Sequence, residues 1–585
     1  MKNIFNKKTK NSVALFLFGL FFIVPVNLYA ADFEPSLYAP ETDSIFVESA
    51  AYEDMLKNLK SFFLSLKKTG GEQELNAFGM NFKALLGINL LNIDELKKTG
   101  VDIKSPLGFT LRFAPIDENT NLQNEIIDEW VFYIPAKDSK TLYKYLLTTI
   151  KNMNEPPPGQ NQTPDMQINT IKEIDEGESF EYESFSEKNY YVRADNFIGV
   201  TNSKERYKII AEKNSKPVAR ADYYIQTKNF AENSNQKDEM LFIIALNPKQ
   251  TEGMTDSFLK NIPGAAALPK QKNPLEKENL DNLLSTGSVI FSGEKGIGLI
   301  MQSRYKDGFL DDTANKTAAL IKNSSPSLLV DSYSNSLMFY MALKFNFIEL
   351  INLAKEIDPK VQTEINNLSK TISATGKYNV EKDLLPALNG RFSFVLGEIP
   401  PQKDLEEIAK WQGYFSFGVN PKEKKGIENL IAIIKEKNKK DKNFSITASS
   451  YKRGKLFTIK IITPPKKTSG QKKAAAKPKV DLIFLYLDNA EAIVTVSKKN
   501  IDLLLSKQKD TIISRLKLLD EKDEKNLIMT MFFNLESAVQ YLNTTSLKMM
   551  IMGYLPYLSN LLDFSISAYR KESSFEEIIY LRLKR

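Results

Sequence analysis

Five short segments of this chain occur twice, in the same order and at similar spacing. Each second copy follows its first copy by 278 to 294 residues. Surface loops change length more easily than the elements they connect, so this scatter is compatible with one repeated unit. The alternative is two unrelated domains that share a common pattern. The paired segments are Ser44-Ile45-Phe46-Val47 with Ser336-Leu337-Met338-Phe339, Gly108-Phe109-Thr110-Leu111 with Gly390-Arg391-Phe392-Ser393, Val131 to Lys137 with Phe415 to Lys422, Val200-Thr201-Asn202-Ser203-Lys204 with Val494-Thr495-Val496-Ser497-Lys498, and Leu283-Leu284 with Leu561-Leu562.

The pattern within each copy combines strands and helices. Leu142, Leu146 and Ile150 follow helical spacing, whereas residues 190–193 and 197–201 have the composition of short strands. Strand runs that are joined by short turns and grouped around few helices favour an antiparallel sheet. We therefore predict an α+β fold with two homologous units, each a largely antiparallel sheet with amphipathic helices packed on it.

The predicted domain boundaries follow from the repeat and from local composition. The first α+β unit covers residues 31–310, a linker covers 311–330, and the second α+β unit covers 331–585. Within the second unit, residues 466–479 form a lysine-rich insertion of low complexity, which we expect to be mobile. Residues 1–30 precede the first unit and are predicted to be a signal peptide.

The N-terminal segment has the three parts of a secretory signal. Residues 2–10 hold four lysines and no acidic residue, residues 13–26 are apolar, and Ala30 supplies the small residue before a cleavage site. The apolar run is shorter than the roughly 20 residues that span a bilayer, which favours cleavage over a membrane anchor. We predict an exported protein, periplasmic or secreted, with cleavage after Ala30.

The chain contains no cysteine and no histidine, which excludes much of the usual chemistry of enzymes. Without them there is no Ser-His-Asp or Cys-His pair, no usual zinc site and no disulfide. The net charge falls from +7 to about +3 once the four signal lysines are removed, so nothing indicates nucleic-acid binding. We predict no catalytic residue, no cofactor and no metal ligand.

Three motifs have a catalytic or ligand-binding interpretation, and each also has a simpler structural one. Ser65 and Lys68 have the S-x-x-K spacing of penicillin-recognising enzymes, and Lys98-Thr99-Gly100 spells K-T-G, but both fit the ends of helices. The acidic residues from Glu173 to Glu187 fit a solvated strand face better than a Ca²⁺ site. The glycines from Gly293 to Gly298 fit a hairpin turn better than a nucleotide-binding loop.

The lysine-rich insertion lies between two strand-like runs of the second unit. It contains three alanines and no acidic residue, so it has little to add to a core. We predict a solvated insertion, with weak contact with anionic surfaces as the alternative role. The lysines concerned are Lys466, Lys467, Lys472, Lys473, Lys477 and Lys479.

The passages Gly100-Val101-Asp102 and Pro106-Leu107-Gly108, with the signal and the repeated strand–helix units, resemble a loosely defined group of exported bacterial proteins of unknown function. The resemblance implies no activity. Our leading prediction is a non-enzymatic binding or scaffold protein, whose partner is an unknown protein or a hydrophobic ligand. The alternatives are a carrier of lipid or another hydrophobic ligand, which needs an apolar cavity, and a carboxylate-based hydrolase, which needs two acids about 5–10 Å apart.

Export can be tested directly by N-terminal sequencing of the protein recovered from its native host. We expect the mature chain to begin at Ala31 and to appear in an extracytoplasmic soluble fraction, because the apolar run is too short to anchor the chain. Recovery of Met1 from the membrane fraction would contradict this prediction.

Overall fold

The computed structural model describes residues 33–65, 76, 79–80, 83, 88–113, 127–154, 169–175, 177–184, 187–212, 216–234, 239–250, 281–293, 296–312, 319–320, 337–372, 378–397, 412–463, 479–505, 516, 524–543 and 560–584. The predicted signal peptide lies outside these residues. So do most of the predicted linker 311–330 and all of the predicted insertion 466–479 except Lys479. No helix in the described ranges is long and apolar enough to cross a membrane.

The chain divides into two compact units, and the first contains the described residues up to Lys306. Its strands and helices are β1 (Ile45–Ala51), α1 (Tyr52–Ser65), α2 (Ile93–Thr99), β2 (Pro106–Phe113), β3 (Ile127–Pro135), α3 (Ser139–Asn154), β4 (Asn169–Asp175), β5 (Ser179–Ser184), β6 (Glu187–Arg193), β7 (Phe197–Thr201), α4 (Lys204–Glu212), α5 (Asp222–Asn233), β8 (Met240–Leu246), β9 (Leu283–Gly293) and β10 (Gly296–Tyr305). Hydrogen-bonded neighbours follow the order β4-β5-β6-β7-β3-β2-β1-β8-β9-β10, and every neighbouring pair is antiparallel.

Helices cover both faces of this sheet. Several of its strands carry apolar residues at consecutive positions, and consecutive residues point to opposite faces, so each face presents apolar side chains. On one face, Phe109 and Phe132 pack beneath α1, α2 and α3, and Leu146 of α3 is fully buried there. On the other face, the ring of Phe46 meets the ring of Tyr224 from α5 edge-on, with centroids 5.2 Å apart. The first unit is therefore a three-layer structure with a closed core on each side.

The second unit contains the described residues from Asp307 to Arg582. Its strands and helices are β11 (Phe339–Lys344), α6 (Phe347–Ile357), α7 (Lys360–Ile372), β12 (Leu388–Leu396), β13 (Gly413–Val419), α8 (Lys425–Lys437), β14 (Phe444–Tyr451), β15 (Gly454–Thr463), β16 (Lys479–Leu487), β17 (Glu491–Thr495), α9 (Lys498–Leu505), β18 (Leu527–Phe533), α10 (Leu535–Asn543), β19 (Leu561–Arg570) and β20 (Ser574–Leu583). A five-residue π-helix (Val380–Leu384) follows α7 and precedes β12. Neighbouring strands follow the order β14-β15-β16-β17-β13-β12-β11-β18-β19-β20.

The two units have the same strand order, and one repeated motif makes the same hydrogen bond in both. The Thr201 hydroxyl donates to the carbonyl of Trp130 at 2.7 Å, and the Thr495 hydroxyl donates to the carbonyl of Gly413 at 2.8 Å. In each case the threonine ends one strand and bonds to the neighbouring strand in the sheet. The internal repeat itself stays a prediction, which this correspondence supports.

Register shows which paired segments of the sequence occupy equivalent positions. Residues 200–204 and 494–498 are equivalent, and so are the starts of β9 and β19. The other pairs are displaced by a few residues. For example, Gly108 lies opposite Tyr133, and the equivalent residue in the second unit is Ser393, opposite Ser416, rather than Gly390.

The predicted fold class is wrong. The sequence predicts an α+β fold in two homologous units with helices packed on their sheets, whereas the described part of the chain is dominated by twenty antiparallel strands with small helices. The error has a physical origin. Helical periodicity is conspicuous in a sequence even when the helix is a short connection, such as α4 or α9, while long hairpins such as β9–β10 have few sequence markers beyond their turns.

The repeated pattern Val-Thr-x-Ser-Lys places a serine where a strand ends, so the sequence predicts a helix that begins just after Ser203 and just after Ser497. Ile209 and Leu503 are predicted to be buried on the inner faces of these helices. Both helices begin at the next residue, and the Ser203 hydroxyl accepts a hydrogen bond from the backbone N–H of Arg206 at 3.3 Å. In the described part of the chain, the Ser497 hydroxyl makes no such bond. Ile209 is only partly buried, so that prediction is wrong, and the Leu503 side chain lies outside the described residues.

Ile210, rather than Ile209, holds α4 against its sheet, and substitution of each residue by alanine tests this. Ile210 is 4% exposed and lies against Gly199 of β7. We expect Ile210→Ala to lower the free energy of unfolding of the first unit by about 2–5 kcal/mol, because it leaves a cavity in the core. Ile209→Ala is the matched control and should change it by less than about 1 kcal/mol. Urea unfolding followed by circular dichroism gives both values, and equal losses would contradict the assignment.

Candidate functional site

Large apolar side chains cover one face of the central strands of the second unit. They alternate along β11, β12, β13 and β18 with buried residues that point to the opposite face, as expected for strands. Each is only partly buried, and Phe415 is 45% exposed. We call this surface the phenylalanine face. Its members are Phe339, Met341, Phe392, Phe394, Phe415, Phe417, Met531 and Phe533.

The phenylalanine rings contact one another across four neighbouring strands. Phe394 and Phe415 stack with ring centroids 4.9 Å apart, and Phe392 lies 5.4 Å from Phe417. Phe339 continues the series, at 5.8 Å from Phe394 and 6.3 Å from Phe533. Cross-strand pairing places these residues side by side, so the rings form a continuous apolar surface rather than separate side chains.

The equivalent positions of the first unit are closed to solvent. Register makes Phe394 equivalent to Phe109 and Phe415 equivalent to Phe132. Phe109 is 0% exposed and Phe132 is 1% exposed, because α1 and α3 cover them. The same place in the strand order is therefore a sealed core in one unit and a partly open apolar surface in the other.

The described helices of the second unit seal this face less completely. α6 is amphipathic but buries no residue, and its Ile348 and Leu350 are 42% and 37% exposed. In α7 the buried residue is the polar Ser369. α8 does pack on the sheet, where Ile427 and Ile431 join a core cluster that extends to Phe417. Close packing thus reaches one end of the phenylalanine face.

Polar contacts hold the three helices together. The Lys355 side chain of α6 forms an ion pair with Glu381 of the π-helix, and this hydrogen bond lowers the pKa of Glu381. The Ser369 hydroxyl accepts from the backbone N–H of Val380 at 3.2 Å. The Lys437 ammonium of α8 donates to the carbonyl of Thr371, at the end of α7. These bonds connect α6, α7 and α8 through the π-helix and through the end of α7.

The opposite face of the same strands is buried and carries small polar residues among large aromatic ones, such as Tyr340 and Phe532, which are fully buried. Ser393 is 2% exposed and pairs across the strands with Ser416, which is fully buried. Farther along the sheet, the hydroxyls of Thr530 and Ser567 are 3.3 Å apart. The two faces of these strands therefore differ in burial rather than in the presence of large apolar residues, because the phenylalanine face is only partly buried.

The first unit contains a buried network of charges at one end of its central strands. The Arg206 guanidinium of α4 contacts Asp43, and its Nε donates to Glu129 at 2.6 Å. The Ser203 hydroxyl donates to the same glutamate at 2.7 Å, and Arg112 lies 2.9 Å from it. Burial raises the pKa of Asp43, although Arg206 opposes that shift. The network is satisfied mainly from within the fold, which is typical of a structural ion cluster.

The motifs singled out in the sequence have structural roles. Gly100 ends α2 in the left-handed conformation, with φ at 90°, so K-T-G marks a helix end as predicted. The glycines near Gly293 join β9 to β10 as a hairpin, also as predicted. Ser65 ends α1, and Lys68 lies outside the described residues. Lys188 of β6 forms an ion pair with Glu181 of β5 at 2.7 Å, so the acidic stretch forms charged pairs across neighbouring strands.

Among the described residues, no group of three acidic side chains is placed to hold a metal ion. The sequence predicts no site residue, and the phenylalanine face is not among the features predicted from it. A signal for that face was present in the alternation of Phe392 with Phe394 and of Phe415 with Phe417. That alternation also fits an ordinary core, and only the positions of the helices distinguish the two.

No protein family, curated protein or solved structure matches this chain. The resemblance to exported bacterial proteins of unknown function therefore stays a prediction.

Glu48 of β1 should make the first unit less stable as the pH rises. Burial raises the pKa of Glu48 from 4.5 to about 7, against the opposing effects of Lys228 and of the Tyr224 hydroxyl, which donates to it at 2.8 Å. The folded state then holds a proton that the unfolded chain has already lost. We expect the free energy of unfolding to fall by up to about 3 kcal/mol between pH 4.5 and pH 7.

Glu48→Gln should remove most of this contribution, because glutamine keeps the hydrogen bond from Tyr224 without a charge. Urea unfolding at a series of pH values measures the effect. Glu53→Gln, at an exposed position at the start of α1, is the control and should keep the pH dependence of the native protein. Parallel curves for the native protein and Glu48→Gln would show that Glu48 does not titrate in this range.

Proposed function

We propose that this is a non-enzymatic exported binding protein whose second unit binds an elongated apolar ligand, such as the acyl chain of a lipid, on the phenylalanine face. The observation that carries the proposal is the contrast between equivalent positions. Phe415 is 45% exposed, whereas Phe132 at the same place in the first unit is 1% exposed. Exposure of such rings to water is unfavourable, so a partly exposed surface of this kind favours the binding of a ligand.

The shape of the face favours a long and narrow ligand. One row crosses six strands, and neighbouring strands lie about 4.8 Å apart, so the row extends over roughly 24 Å. The row contains no charged or hydrogen-bonding side chain, which favours hydrocarbon over a polar molecule. Its members, in order across the sheet, are Ile566, Met531, Met341, Phe394, Phe415 and Val494.

Methionine contributes to the adaptability of this face. Met341 and Met531 lie side by side on neighbouring strands, between Ile566 and Phe394 in the row. Unbranched thioether side chains adjust to ligands of different shape more easily than branched ones. This composition supports binding of a class of acyl chains rather than of one rigid molecule.

The carboxylate-based hydrolase is less well supported. Among the described residues, the two carboxyl groups whose pKa is raised to about 6 or 7 are those of Asp43 and Glu48. Asp43 is 0% exposed and Glu48 is 2% exposed, so neither faces a cleft that a polysaccharide could enter. A purely scaffolding role leaves the open apolar face without an explanation.

Binding of a fluorescent fatty acid, cis-parinaric acid, to the delipidated mature protein tests the proposal. We expect Phe415→Gln to weaken binding about tenfold or more, because it removes a phenyl ring worth about 1.5–3 kcal/mol of apolar contact. Phe415 is the most exposed ring of the face, so its replacement should leave the melting temperature nearly unchanged.

Leu37→Gln provides the matched control, since Leu37 is 50% exposed but belongs to the first unit. That variant should bind cis-parinaric acid as the native protein does. The proposal fails if the native protein does not bind the probe, or if Phe415→Gln and Leu37→Gln bind it equally well. Mass spectrometry of lipids extracted from the purified native protein would identify the chain length that it carries.

A further inference from the structure

Where β15 ends and β16 begins, their hairpin exposes a cluster of aliphatic side chains beside lysines. Val480 and Leu482 of β16 are 49% and 40% exposed, and Ile462 lies opposite Val480 in the ladder. Lys460 of β15 lies opposite Leu482, on the same face of the hairpin. We call these residues the basic hairpin end, and it consists of Lys460, Ile462, Lys479, Val480 and Leu482.

The equivalent positions of the first unit show what an ordinary solvated surface needs here. Register makes Leu482 equivalent to Lys188 and Lys460 equivalent to Glu183. Lys188 lies 2.7 Å from Glu181 and 3.4 Å from Glu183, so that surface is a network of cross-strand ion pairs. In the second unit an exposed leucine replaces the central lysine of the network. The fold therefore accepts a charged residue at this position. An exposed leucine there favours contact with a partner.

The charge of the surrounding sequence indicates the kind of partner. From Lys452 to Val480 the chain contains no acidic residue. The cations of the turn between β14 and β15 form ion pairs within the fold, since Lys452 pairs with Asp502 at 3.1 Å and Arg453 pairs with Asp488 at 2.6 Å. Lys460 makes no ion pair within the described part of the chain. The basic residues of this stretch are Lys452, Arg453, Lys455, Lys460, Lys466, Lys467, Lys472, Lys473, Lys477 and Lys479.

We propose that the basic hairpin end docks on the surface of an anionic lipid bilayer. Val480, Leu482 and Ile462 enter the boundary between headgroups and acyl chains, while Lys460 contacts the lipid phosphates. Lys479 lies on the other face of the hairpin, where its ammonium is 3.5 Å from Asp481. Exposed aliphatic residues flanked by cations are the combination that binds such surfaces, because apolar burial and electrostatic attraction act together. A site for acyl chains elsewhere in the same unit would benefit from this contact, but the proposal does not depend on it.

Flotation of the full mature chain with lipid vesicles tests docking. We expect binding to vesicles of phosphatidylcholine mixed with phosphatidylglycerol, much weaker binding to phosphatidylcholine alone, and a loss of binding as salt is raised. Lys460→Gln should weaken binding about fivefold, as expected for one cation near an anionic surface. Binding that does not depend on phosphatidylglycerol would contradict the role of the lysines.

Leu482→Lys separates apolar insertion from simple charge attraction. The same fold accepts lysine at the equivalent position 188, so this variant should fold, and its melting temperature checks that it does. It adds a positive charge, and charge attraction alone would therefore strengthen binding. We expect the opposite, a loss of binding of about tenfold, because the apolar contact is removed. Leu284→Lys, at a position that is also 40% exposed but in the first unit, should bind more strongly or as before.

Two outcomes would overturn the proposal. One is vesicle binding by Leu482→Lys that equals or exceeds that of the native chain. The other is absence of vesicle binding by the native chain. If sedimentation then shows a native dimer and a monomeric Leu482→Lys variant, the basic hairpin end is a contact between copies. Neither outcome affects binding of cis-parinaric acid at Phe415, so failure of this proposal is distinguishable from failure of the proposed function.

Discussion

Antiparallel pairing of neighbouring strands is the interaction on which each unit depends. It fixes a period of two along every strand, so the sequence decides residue by residue what each face of a sheet presents. With no cysteine in the sequence, the stability of the sheets comes from what packs on those faces. The first unit closes both faces with helices and loops. The second keeps the same strand order and leaves apolar residues partly open, so one backbone arrangement supports both a sealed core and an accessible surface.

Local structure follows from the sequence where a short-range rule applies. The helix predicted from Leu142, Leu146 and Ile150 is present as α3, with all three residues buried. Gly100 ends a helix because it adopts a positive φ that glycine tolerates best. The predicted fold class was wrong because the class depends on how many strands join one sheet. Hydrogen bonds between distant segments decide that number, and a single sequence does not reveal them.

The candidate site was harder to predict than the fold, for a different reason. Phe415 and Phe417 look like core residues in the sequence, and at the equivalent places in the first unit Phe132 and Ile134 are core residues. What differs is the packing of α6, whose amphipathic pattern predicts a buried face that the structure does not show. Exposure therefore results from tertiary packing. Comparison of register between the two units reveals it, whereas composition and periodicity do not.

Lys460 also has a consequence for the chain before it folds. It interrupts a run of β-branched and aromatic residues in β15, from Phe457 to Ile462, and Asp481 interrupts the aliphatic run of β16 in the same way. Such runs pair readily with copies of themselves on other chains when they are unfolded, and single charges within or beside them oppose stacking of identical segments. Repulsion between like charges in register therefore protects newly made chains from aggregation until β15 and β16 have paired with each other.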